Sequence, residues 1–144
     1  MRAPTRLPPW HSPSSTLADN PVDELLVTDA IHWREWLQDH HAAAASVWVV
    51  LAKKGAPAPT SLTFDDALAE AVCFGWIDNK TRRRDASTYL IRFTPRRPGG
   101  TWSASNVQLA ERLMAGGRMH PAGLATVERA QAEGRWKPRA SPRR

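Results

Sequence analysis

One helix is written plainly in this chain, and the rest has to pack around it. Thr63 is placed to cap it, and Asp65 and Asp66 follow in the first turn, where the positive end of the helix dipole favours acids. Phe64, Ala67, Leu68, Ala71 and Val72 then recur at helical spacing, so a single apolar stripe must face another layer. Gly75 predicts an αL stop, and Trp76 and Ile77 follow it at once, bulky groups that fasten the helix end to whatever lies beneath.

Weaker signals surround this helix. Leu25, Leu26 and Val27 form a short apolar run before Thr28 and Asp29, two N-cap candidates for a first helix carrying Ile31, Trp33, Trp36, Leu37 and His40 on one side, with Arg34, Glu35, Gln38 and Asp39 turned to water. Val47 to Ala52 reads as a buried strand and Thr88 to Phe93 as a half-buried one, with Tyr89, Ile91 and Phe93 on one face and Thr88, Leu90 and Arg92 on the other. Asp78 to Asp85 reads as a polar, Arg-rich connection. Ser103 caps a helix through about Ala115, and Pro121 opens a last helix that ends near Gly134. The order predicts a small single α+β domain of about four helices packed on a short three-stranded sheet.

Residues 1–21 hold five prolines and show no period, which predicts a mobile N-terminal arm; residues 137–144, KPRASPRR, predict a mobile basic tail, leaving 22–136 as the folded unit. With 144 residues there is room for one modest core. The net charge of +6 is uneven: residues 19–75 sum to −6 and residues 76–144 to +10. An anionic partner fits that asymmetry, as does a general preference for arginine. A lone cysteine, Cys73, excludes an internal disulfide and a Cys-based zinc site and reads as a core residue of the second helix. No run is long enough to span a bilayer and the first 18 residues lack an apolar signal core, so the expectation is a cytoplasmic protein without membrane insertion. His11, His32, His40, His41 and His120 have no common ligand spacing, and Gly-rich nucleotide loops and the GxSxG elbow are absent. Neither a metal nor a cofactor is expected.

Polarity concentrates between Gly75 and Asn106. Arg96 and Arg97 are followed by Trp102, Ser103 and Asn106 at a helix start, where free backbone N–H groups and a guanidinium fork together suit a phosphate or carboxylate. Equally, one arginine could pair with Asp78 and the PRRP turn be held by its own hydrogen bonds. Asp78 could serve as an acid or base, or simply stabilise a turn; no second acid lies close to it in sequence. Trp76 and Trp102 could stack on a base or a guanidinium, or fill the core. Trp76, Asp78, Arg96, Arg97, Trp102, Ser103 and Asn106 are thus the candidate ligand-binding residues, with no catalytic residue assigned.

The segments LTFDDALAEAVCFGWIDN, YLIRFTPRRPGGTWSASN and LMAGGRMHPAGLATVERAQAEGRW, with WREWL and VWVVLAKK, resemble the bacterial YdeI/OmpD-associated proteins, also called bacteriocin-protection proteins. The likeness runs from about Glu24 to Trp136. It departs at Asn79, where family members commonly have glycine. It implies a small bacterial stress or bacteriocin-protection protein without an established reaction, and a link to a porin that would be indirect for a chain with no signal peptide. The first expectation is therefore a non-catalytic module that binds an anionic small molecule or acidic protein. A second is a nucleic-acid-binding protein using the Arg82–Arg97 surface and the basic arms, with weak binding coming mainly from the arms. A third is an enzyme that uses Asp78 beside Arg96.

Overall fold

A computed structural model describes residues 24–56 and 58–136; the two terminal arms expected from composition lie outside the described residues. The chain runs β1 (Glu24–Leu25), α1 (Ala30–His40), β2 (Val47–Ala52), α2 (Phe64–Cys73), β3 (Trp76–Arg83), β4 (Thr88–Pro95), α3 (Ala104–Ala115) and α4 (Pro121–Ala132). The α+β architecture and the four helices are as expected.

Helix starts follow side-chain chemistry. Asp29 accepts from the His32 amide at 3.0 Å, Thr63 from Asp66 at 3.3 Å and Ser103 from Asn106 at 3.1 Å, each satisfying a donor that the first turn leaves without an intrahelical partner. At α4 the cap is His120, whose Nδ1 accepts from the Ala122 amide at 3.0 Å.

The sheet has four strands in the order β1-β2-β4-β3; β1 is parallel to β2 and the other pairs are antiparallel. The sheet has one strand more than the three expected. Leu25 belongs to a two-residue edge strand, and the Arg-rich stretch read as a connection is most of β3. Its polar sequence has no apolar alternation because it is an edge strand whose residues from Asn79 to Arg83 are exposed. Its register also slips between Asp78 and Lys80, so side chains before and after Asn79 change faces.

One face of the sheet, with Val47, Val49, Leu51, Ile91 and Phe93, packs against the helices. Trp33 lies 5.3 Å from Phe93 between ring centroids and donates from Nε1 to the Ala67 carbonyl at 2.9 Å. Trp76 meets Trp36 edge-on at 6.0 Å and is 1% exposed. Ile31, expected on the inner side of α1, is 68% exposed, so the apolar stripe of that helix is carried by Trp33, Trp36 and Leu37.

Gly75 has φ of 82°, the αL stop that the sequence predicts. Gly123 answers a different need. A Cβ there would stand 2.2 Å from the Cys73 carbonyl oxygen, so α4 meets the end of α2 at a distance only glycine permits.

Candidate functional site

The β3–β4 hairpin sets Trp76 beside Pro95 and Asp78 beside Phe93, and the Arg96 amide donates to the Gly75 carbonyl at 2.9 Å. Arg96 therefore leaves the sheet at the point where α2 ends. Its guanidinium carbon lies 3.5 Å from the centroid of Trp102, which is 6% exposed and packs on Trp136 at 5.0 Å. Nη1 donates to the Thr101 carbonyl at 3.2 Å. Nε and Nη2 are shut off from solvent and have no hydrogen-bond partner among the described residues.

Burial pushes the Arg96 guanidinium down to about 10; the Asp78 carboxylate opposes that shift and the positive charge of Arg135 adds to it. Arg96 is still a cation at neutral pH. No salt bridge joins it to Asp78 among the described residues, so the carboxylate acts on it through space. A cleft of about 190 Å³ adjoins this group, lined by Ile77, Asn79, Thr94, Arg96, Arg97 and Thr101 among others.

The seven candidate residues separate. Arg96 and Arg97 line the cleft, Trp102 backs Arg96, and Asp78 contributes charge nearby. Trp76 is a core residue. The Ser103 hydroxyl is taken up in capping α3 and lies 3.3 Å from the Ser105 hydroxyl. Asn106 borders a different hollow, with Asp65, Leu68, Leu109 and Arg112. The two arginines thus do not converge with the start of α3.

A second polar cluster was not visible in the sequence. Glu70, 7% exposed, receives Arg34 Nη1 at 2.7 Å on one carboxylate oxygen and Arg118 Nη2 at 2.5 Å on the other. Arg34 also donates to the Arg118 carbonyl at 3.0 Å and lies 5.1 Å over the Phe74 ring. Beside it His120 stacks on Phe74 at 4.5 Å and meets His41 edge-on at 4.9 Å. Burial holds the His120 imidazole below its ordinary range, reinforced by His41 and Arg34, and burial raises the Cys73 thiol. Both Glu70 oxygens are engaged, so the cluster ties α1 and α2 to the segment before α4. The available signal was the position of Glu70, three residues from both Ala67 and Cys73 on the inward side of α2.

A family model described as a domain of unknown function, DUF8412, matches residues 25–126. The chain belongs to the DUF8412 family. No curated protein and no solved structure matches it. The DUF8412 span contains all the residues lining the Arg96 cleft and the whole Glu70 cluster, while Arg135 and Trp136 lie beyond it. Among the described residues no helix is long and apolar enough to cross a membrane, and no group of three His, Cys, Asp or Glu side chains is placed to hold a metal ion.

Proposed function

We propose that this DUF8412 protein is a non-catalytic module that binds a compact anion, a phosphate or carboxylate group of a small molecule, at Arg96. The observation that supports the reading most directly is the unpartnered Nε–Nη2 edge. These two N–H groups form the fork that meets two oxygens of one anion, and the remaining nitrogen is already engaged by the Thr101 carbonyl. Cation donors left buried without an acceptor are costly, and an anion on that edge removes the penalty. Both donors are closed to solvent, so an anion reaches them only when the exposed turn from Arg97 to Gly99 moves aside.

The cleft volume of about 190 Å³ suits a small group better than a nucleotide or peptide. Stacking on Trp102 holds the fork in one orientation and keeps it dry, which strengthens its attraction for an anion. The residues lining the cleft include no carboxylate, imidazole or thiol, so an acid–base role for Asp78 beside Arg96 has no second group to work with. A setting in bacterial stress or bacteriocin protection rests on the sequence resemblance to the YdeI/OmpD-associated proteins alone.

Isothermal titration of the full chain at low ionic strength, with inorganic phosphate and with acetate, tests the reading. Saturable one-to-one binding of at least one of them is expected. Arg96→Lys keeps the charge and removes the fork, and should weaken it by at least about tenfold. Equal affinity in the two proteins, or no binding of either anion, would refute the assignment.

A further inference from the structure

The face of the sheet turned away from the helices carries cations that form no ion pair among the described residues. Strand alternation puts Trp48 and Val50 of β2, Leu90 and Arg92 of β4, and Lys80 and Arg82 of β3 on that face. The register aligns Trp48, Arg92 and Lys80 in one row and Val50, Leu90 and Arg82 in the next. Lys80 and Arg82 are exposed, Trp48 and Arg92 are half-buried, and Val50 and Leu90 form a closed aliphatic floor between them.

Arg82 extends across that floor and places its guanidinium 4.6 Å from the Trp48 ring centroid. Glu24, paired with Trp48 in the same register, is neutralised by Arg84 at 2.9 Å. Among the described residues Lys80, Arg82 and Arg92 have no carboxylate within salt-bridge distance. Three uncompensated cations thus surround one half-open indole.

We propose that this face docks a single-stranded nucleic acid, with one base displacing the Arg82 guanidinium from the Trp48 ring and phosphates on Lys80, Arg82 and Arg92. Cations alone would suit any polyanion, and the indole is what selects. A base offers it a flat apolar partner; an acidic peptide satisfies the charges and leaves the ring without one. A duplex keeps its bases stacked inside, where a ring on a flat sheet does not reach them. Two strand spacings separate Trp48 from Lys80, about 10 Å, which corresponds to about three nucleotides at the per-strand rise of a stacked chain. None of the four residues lines the Arg96 cleft, so this proposal stands or falls separately from the compact-anion reading.

The test is fluorescence anisotropy on the full chain with a labelled 12-nucleotide oligo(dT), a duplex of equal length and a 12-residue oligoglutamate, each over a series of salt concentrations. Oligo(dT) should bind at least about tenfold tighter than either competitor. Replacing Lys80, Arg82 and Arg92 together by Gln should lower the magnitude of its log–log salt slope by about 2, since each single-strand phosphate contact contributes about 0.7. The same change at Arg112 and Arg129, exposed on the helices, should leave the slope unaltered.

Trp48→Leu should weaken oligo(dT) about five- to hundredfold with oligoglutamate unchanged, and Trp48→Phe should retain most of the affinity. All variants are compared only where their melting curves match wild type, and the Phe variant covers the case in which Leu disturbs the sheet. Wild-type affinity in the Gln triple variant would place the contacts elsewhere on the chain and overturn the proposal. Equal binding of duplex or oligoglutamate, or indifference to Trp48, would overturn it too. Phosphate titration of the same variants should be unchanged, which separates failure here from failure at Arg96.

Discussion

Arg96 and Arg97 are chemically identical neighbours with opposite surroundings. In extended chain adjacent side chains point apart, and here one guanidinium is folded onto Trp102 while the other faces solvent. The pair could be picked out from the sequence as a candidate; which member is desolvated is decided by Trp102 and Trp136, distant in sequence and brought together by packing. Glu70 was illegible for a related reason, since its partners Arg34 and Arg118 come from other elements. Glu70→Gln leaves two guanidiniums facing a neutral amide and should cost about 1.5–3 kcal/mol in urea unfolding; an unchanged midpoint would show that solvent already screens the pair. His120 predicts a pH dependence. Its folded pKa is depressed from 6.5 by burial, with His41 and Arg34 adding to the shift, so the unfolded chain takes up the proton first. Stability should therefore fall as pH drops from about 6.5 through the lower folded value, and protonation also removes the Nδ1 acceptor that caps α4. Asp29 and Asp85, held low chiefly by hydrogen bonds to their charged forms, add a further loss only below about pH 4. His120→Asn keeps a cap and cannot titrate, so its melting temperature should be flatter than wild type between pH 7.5 and 5; parallel curves would reject the assignment.

Elements with a single apolar stripe or a clean cap were legible: α2, α3 and α4 begin where Thr63, Ser103 and Pro121 indicate, and β2 spans the predicted Val47–Ala52. The strand β3 was not, because an edge strand with a bulge gives neither alternation nor an apolar run, and its pairing with β4 is a property of the hairpin. Trp76, at the first position of that strand and directly after the end of α2, ties the sheet to α1 through its edge-on contact with Trp36. Trp76→Ala should destabilise by about 3–5 kcal/mol, read from chemical denaturation; a variant melting within a degree or two of wild type would contradict the packing. The α2–α4 contact gives a smaller-scale test. Gly123→Ala drives a methyl group into the Cys73 carbonyl, and the expected loss is about 1–3 kcal/mol. Ala125→Gly, at an exposed site on the same helix, should cost no more than about 1 kcal/mol. Equal losses would mean that helix propensity, not close approach, sets the requirement for glycine.

At the scale of the molecule, the late concentration of positive charge becomes spatial. The acidic first part supplies α1, α2 and the carboxylates of the Glu70 and Asp29 contacts, while the basic part supplies β3, β4, the turn into α3 and the last two helices. The asymmetry was readable in the sequence; its division between a buried guanidinium at Arg96 and a basic sheet face was not, since it depends on the register slip at Asn79 and on which arginine meets a tryptophan. Anion binding at Arg96 is the claim on which the functional account turns, and a crystal structure of the full chain soaked in phosphate tests it most directly. The account predicts tetrahedral density in the Arg96 cleft with two oxygens within hydrogen-bonding distance of Nε and Nη2. A cleft closed on the same edge by the Asp78 carboxylate, with no anion at any phosphate concentration, would contradict it and make Arg96 a structural clamp.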